Sequence, residues 1–231
     1  LERAVGALNE ANIKEIAVVR GYKKEAIALP NIRYYDNDRY EDTGELFSIF
    51  SAESEMKGRT IVLYGDIMFD SPILEKLLKS PADIALVVDL AWRDQHQRGG
   101  PSSHLNPDLV TFAEPPGDSS HSRFVMGDDE HRVVKIGQHL TIDHVHGEFI
   151  GMAMFSEKGT QALKDCYHSS QERYKSSGFH EASSVNKASF TDLIQEMIDQ
   201  GHRVDAVPIF KGWMEVDSFE EYQKAWAQIR Q

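Results

Sequence analysis

The 231-residue chain is 41% hydrophobic and carries a formal net charge of -12, so it can bury a core but offers no basic surface that would track nucleic-acid phosphates. No apolar run approaches the ~20 residues of a membrane span, and no basic region followed by an apolar one marks a signal peptide. The single cysteine, Cys166, excludes an intramolecular disulfide and fits a half-buried or core position. These features predict a soluble, cytoplasmic protein.

In chain order, Leu1, Ala4, Val5 and Leu8 recur at helical spacing, so the sequence opens inside an amphipathic helix. Ile13 to Val19 reads as a buried strand closed by Gly21, residues 22 to 29 as a short helix stopped by Pro30, and Asn31 to Tyr35 as another strand. A helix over about Thr43 to Met56 leads to the uninterrupted apolar run Ile61 to Tyr64, which predicts a central strand covered on both faces. Gly65 and Asp66 end it. A helix at Pro72 to Leu78 and a strand at Asp83 to Val88 continue the alternation, which predicts right-handed crossovers and a mixed, mostly parallel sheet with helices on both faces.

From Ala91 to Glu130 seven glycines and prolines, Gly99 to Pro101, Pro107 and Pro115 to Gly117, break any period. The stretch reads as an irregular insertion or lid within a single domain. Its His96, His104 and His121 match no metal-ligand spacing, and neither do His144 and His146 further on. VVKIGQH and GEFIGMAMFS then read as two strands. Helices follow at Glu157 to Ser176 and at Ser189 to Asp199, capped by Ser189 or Thr191 and ended by Gly201. Arg203 to Ile209 is a strand, and Phe219 to Ile229 a last helix with Ser218 and Glu221 as a capping box.

Asp66 and Asp217 each stand where an apolar segment hands over to the next element. Each could simply cap a turn or a helix. Converging on one crevice, the two would supply the one or two carboxylates that magnesium takes beside its waters and phosphate ligands. Asp89 ends the strand IALVVD and Trp92 follows three residues later, an acid and an indole suited to a cationic head group by charge and cation–π contact. Trp92 could equally anchor the start of the irregular stretch. Trp213 and Tyr174 are further candidates.

YGDI at 64–67, GEFIGMA at 147–153 and GWMEVDS at 212–218, with VVDLAW at 87–92, together resemble the nucleotidyltransferases that join a nucleoside triphosphate to a phosphorylated small molecule. The likeness is to the cytidylyltransferases acting on phosphocholine or on phosphonates such as 2-aminoethylphosphonate, some of them fused to phosphoenolpyruvate mutase, and it runs over nearly the whole chain. It implies a Rossmann-like sheet of the nucleotide-diphospho-sugar transferase, GT-A type. It assigns Asp66 and Asp217 to catalysis as ligands of Mg2+, and Glu148 to the acceptor, with Asp89, Trp92 and Trp213 as acceptor-side candidates. By position it places Thr43, Gly44 and Ser48 beside the nucleobase of a triphosphate, CTP above all, although DTGELFSI departs from the commoner Thr-Asn pattern there.

Members of that family begin with a strand and a Gly-rich loop carrying arginine and lysine. This sequence begins in the following helix, so the resemblance implies a domain lacking its first strand and phosphate-binding loop. The implied reaction is Mg-dependent transfer of a nucleotidyl group to a zwitterionic acceptor, with pyrophosphate released, in a protein that could be homodimeric. A sugar-1-phosphate nucleotidyltransferase and a non-catalytic nucleotide-binding domain are the alternatives.

Overall fold

The computed structural model describes residues 1–97, 107–114 and 131–216, with no side-chain detail for residues 95–97. A helix, α1 (Glu2–Glu10), leads into a parallel pair of short strands, β1 (Ala17–Arg20) and β2 (Arg33–Asp36). Only one 3-10 turn, Lys24–Ala26, forms between them. The segment expected as one long helix from Thr43 divides into α2 (Glu45–Ser51) and a 3-10 turn at Glu53–Glu55.

Six strands form the main sheet, in the order β3 (Thr60–Leu63), β8 (Gly147–Phe155), β5 (Ile84–Asp89), β9 (Val204–Ile209), β7 (His131–Gly137) and β6 (Leu109–Phe112). β6 also reaches back to pair with β8. A second pair joins β4 (Ile67–Phe69) to β10 (Trp213–Glu215), antiparallel. The remaining helices are α3 (Ser71–Leu78), α4 (Trp92–Gln97), α5 (Glu157–Arg173) and α6 (Phe190–Asp199).

The mixed α/β class expected from the alternation is the class observed. The sheet is less parallel than expected, since β5–β9 is its one parallel pairing among the described residues and the others are antiparallel. Helical alternation does not reveal that β8 runs against its neighbours, because a strand buried on both faces reads as the same apolar run in either direction. β3 is likewise not central. It stands at one end of the described sheet and is half-buried, with Val62 facing one core and Ile61 and Leu63 the other.

Each face of the sheet carries its own core. Leu46, Phe50, Leu163, Phe190 and Ile194 from α2, α5 and α6 pack on Leu86, Val88, Phe149 and Phe155. On the opposite face Leu8, Ile73, Leu74 and Leu77 from α1 and α3 pack on Ala85, Val87, Ile150 and Met152, with Ile16 and Val18 at the start of β1 joining the same cluster. β1 and β3 therefore share a core without pairing to one another among the described residues.

The Ala91 to Glu130 stretch is not irregular throughout, since α4 and β6 lie within it. Their short apolar patterns are masked by the surrounding glycines and prolines. Ser189, not Thr191, caps α6, in a capping box with Asp192. The expected helix from Phe219 to Ile229 lies outside the described residues.

Candidate functional site

The site gathers where β3, β5 and β8 meet, and β8 sets its geometry. At Gly151 the backbone turns to φ +77, a conformation that costs glycine little. A Cβ there would run into the ring of Tyr64. The missing side chain lets Tyr64 lie on the β8 backbone, where its N–H donates to the Gly151 carbonyl at 2.9 Å. The turn Gly65–Asp66 is thereby held at the sheet rim.

Asp66 is exposed, and among the described residues its carboxylate has no hydrogen-bond or salt-bridge partner. Its own carbonyl accepts from the Val216 N–H at 3.0 Å, extending the β4–β10 ladder. Asp217, its expected partner, lies outside the described residues. An open carboxylate oxygen is the hard donor that magnesium prefers, and solvent access leaves room for the waters it keeps, so Asp66 fits that ion.

Beside Tyr64 lies a group of acids of which Glu45 and Asp108 were not singled out from the sequence. The Tyr64 hydroxyl donates to Glu45 Oε2 at 2.8 Å, and its ring meets Phe149 edge-on at 6.1 Å. Asp108 Oδ1 receives only long contacts, from Thr191 Oγ1 at 3.3 Å and Gln138 Nε2 at 3.4 Å. Its backbone carbonyl accepts from Phe149 N–H at 2.8 Å, which fixes it next to Glu148. Burial, with Glu45 and then Glu148 adding repulsion, pushes the Asp108 carboxyl up to about 7. Burial together with Glu45 raises the Tyr64 phenol well above its usual range. Neither acid has a motif around it in the sequence. Pairing of β6 with β8 brings in Asp108, and the packing of α2 on the sheet brings in Glu45.

The raised Asp108 pKa has a definite sign. From about pH 4 to about 7 the folded protein holds a proton that the unfolded chain has already released, so this group's contribution turns steadily less favourable to folding across that window and is constant above it. Asp108→Asn should therefore stabilise the protein at pH 8 by roughly 1–3 kcal/mol and leave it unchanged near pH 4. Urea titrations of both proteins at the two pH values measure this, and equal gains at both would contradict it.

Glu148 is 6% exposed and stands between Asp89 on β5 and Leu109 on β6. Asp89 does not meet a head group as expected. It is fully buried, with Oδ1 accepting from the N–H groups of Ala91 at 2.8 Å and Lys211 at 3.1 Å and Oδ2 accepting from Trp213 Nε1 at 2.9 Å. The Trp213 indole is thus spent on Asp89. Trp92 is an anchor: it packs with Leu109 and Val145, and the Arg93 guanidinium covers its ring at 4.8 Å. Tyr174 binds Glu196 at 3.1 Å, in a network that also takes Arg173 and His180. His180, Glu196 and Asp199 have the proximity of a metal cluster. Arg173 at 2.8 Å from Glu196 already supplies the compensating charge there.

Thr43 and Ser48 are tied together by the buried Asn37, whose Nδ2 donates to both hydroxyls at 2.9 and 3.0 Å. Gly44 abuts the backbone of Lys187 and Ala188, and its N–H donates to the Asn186 carbonyl at 2.8 Å. Asn37 thereby ties the loop residue Thr43, beside Gly44 at the start of α2, to Ser48 one turn into that helix. His146 Nδ1 accepts from the Phe112 N–H at 2.9 Å, and the Phe112 ring stacks with both His131 and His146. His144 sits in a 3-10 turn beside them. Cys166 is buried in the core, its thiol pushed up to about 12 by burial.

Solved structures of nucleotidyl-transferring enzymes share this two-sided mixed-sheet fold and superpose on the chain. One is an inositol-1-phosphate CTP transferase from T. maritima, with a TM-score of 0.65, 16% identity, and coverage of 100% of this chain and 82% of that one. Another is a CTP:phosphocholine cytidylyltransferase from Streptococcus pneumoniae, with a TM-score of 0.63, 14% identity, and coverage of 99% and 84%. In sequence the chain is similar to a CTP:phosphoglutamine cytidylyltransferase of Campylobacter jejuni subsp. jejuni serotype O:2, 22% identical over 235 residues, 96% of this chain and 85% of that protein. No protein-family model matches the chain. Among the described residues no helix is long and apolar enough to cross a membrane.

Proposed function

We propose that the protein is a cytidylyltransferase that moves the cytidylyl group of CTP to a small acceptor carrying a phosphate or phosphonate. The observation that carries this reading is the exposed carboxylate of Asp66, held at the sheet rim against the end of β10, in a chain whose relatives are named cytidylyltransferases. Asp66 and Asp217 are the residues we assign to Mg2+. The ion would offset the charge that builds on the triphosphate during transfer.

In the reaction an ionised oxygen of the acceptor attacks the α-phosphorus of CTP in line, and the bond to the bridging oxygen of the β-phosphate breaks, releasing pyrophosphate. The attacking oxygen carries no proton at neutral pH, so no residue need act as a base. The chain contributes position and electrostatics. We assign Thr43, Gly44 and Ser48 at the start of α2 to the nucleoside, and the Asn37 amide that bonds both hydroxyls supports their acting together.

The acceptor in this reading is zwitterionic. Glu45, Asp66 and Asp108 have no salt-bridge partner among the described residues, and Glu148 adjoins them. Carboxylates gathered at one rim, of which Asp108 and Glu148 are the more buried, repel an acceptor that is only anionic and attract one with an ammonium group. Pyrophosphate release should be fastest with CTP and with phosphocholine or 2-aminoethylphosphonate. Asp108→Asn and Glu148→Gln should each raise the acceptor KM about tenfold and that of CTP far less. A hexose 1-phosphate proving the better substrate would replace this acceptor with a sugar phosphate, and no release with any pair would remove the enzyme reading.

A further inference from the structure

The turn between β9 and β10 is conformationally expensive. Lys211 and Gly212 adopt φ of +64 and +84 in succession, and the first is not a glycine. The Asp70 N–H donates to the Gly212 carbonyl at 2.9 Å and Lys211 Nζ pairs with Asp94 at 3.0 Å, and the buried part of the hold on this turn comes from another strand. Asp89, at the end of β5, accepts from the Lys211 N–H within the turn and from the Trp213 indole just beyond it, while the Ala91 N–H shares its Oδ1. β10 then runs antiparallel to β4 with Glu215 opposite Ile67, and Val216 donates to the Asp66 carbonyl.

We infer that Asp89 is a positioning residue, a brace that fixes the 210–212 turn and so the approach of β10 to Asp66. A fully buried carboxylate with both oxygens engaged by N–H donors is closed to a substrate, and removing it leaves those donors unpaired. This assignment rests on the proposed reaction only for its catalytic consequence. The brace itself is a property of the fold.

Asp89→Asn is the probing substitution. Its amide oxygen can keep the Ala91 and Lys211 bonds, but its NH2 meets the Trp213 N–H donor to donor. Hydrogen exchange at the amides of residues 213–216 of the full chain should speed up at least about tenfold. Adding Trp213→Phe removes the conflict, so the double variant should lose no more protection than the worse single one. In transfer assays the Mg2+ concentration for half-maximal rate should rise about tenfold, with the acceptor KM within about threefold of the parent's. A contact between Asp89 and the acceptor predicts the reverse split, a raised acceptor KM with metal requirement and protection unchanged, and that result would overturn the assignment. Unchanged protection in Asp89→Asn would overturn it as well. Should that variant fail to fold, Trp213→Phe alone carries the same exchange expectation, and full protection there counts against the brace. If the parent shows no transfer at all, the proposed reaction fails while the exchange measurements still decide the brace.

Discussion

Asp66→Asn should lower the rate of cytidylyl transfer by about 10²–10³-fold, the usual cost of removing one group that stabilises developing charge. It should do so without loss of stability. The Asp66 carboxylate is exposed and has no hydrogen-bond or salt-bridge partner among the described residues, so replacing it breaks no native bond. The backbone bond from Val216 that fixes the turn survives the change. Asp70, exposed and four residues further on at the start of α3, is the control, and Asp70→Asn should change the rate by less than about threefold if charge alone is not at issue. Initial rates of pyrophosphate release, with melting curves of the same samples, give both quantities. An Asp66→Asn protein with more than a tenth of the parent rate would take this residue out of the chemistry.

The largest effect on stability should come from Gly159→Ala. Gly159 lies in the first turn of α5, where a Cβ would fall on the backbone carbonyl oxygen of Asp83. Backbone cannot swing aside as a side chain can. The same contact is locked by Ser156, which caps the helix and donates to Asp83 Oδ1 at 2.6 Å, and by Lys158, 2.9 Å from Oδ2. Pushing α5 away from β5 should cost about 2–3 kcal/mol, or roughly 5–10 °C in Tm for a chain of this size. Gly6→Ala makes the comparison, because nothing lies within 4 Å of a Cβ at that helical position. It should be stabilising by about 0.5–1 kcal/mol. Equal Tm values for the two variants would show that the α5–β5 approach yields more readily than its backbone contact implies.

Much of the architecture was legible because strands and helices carry different apolar periods. The strand read in GEFIGMAMFS and the helix read from Ser189 to Asp199 stand in the sequence as β8 and α6 stand in the fold. The sheet order was not legible, since pairing partners leave no mark on a fully apolar strand. For the site, Asp66 was visible from its place after the β3 run, and Glu148 from the resemblance of GEFIG. Asp89 was visible as an acid at a strand end, but its role inverted: burial and three N–H donors turn an expected contact surface into an internal fastening. Trp92 takes the anchoring role that was its alternative reading and the Trp213 N–H is engaged by Asp89, since an indole packs and hydrogen-bonds within a protein as readily as it stacks on a cation. Glu45 and Asp108 reach the site only through pairings and packing between segments far apart in sequence, which no local pattern encodes.

β8 pairs with β3, β5 and β6, and these partners come from separate stretches between residues 60 and 112, all well before it in the chain. Thr60 faces Phe155 across one of these ladders, and Asp89 faces Glu148 across another. Bringing such distant segments together spends loop-closure entropy before any pairing repays it, so contacts of this kind belong to the slow, non-local part of folding. The local pieces, α5 with its Ser156 cap and α6 with its capping box, can form early on their own sequence. The rim that carries Asp66, Asp108 and Glu148 has no such independent existence. It comes into being only when the register of β8 is settled, and a single slip in that register would disperse all three acids at once.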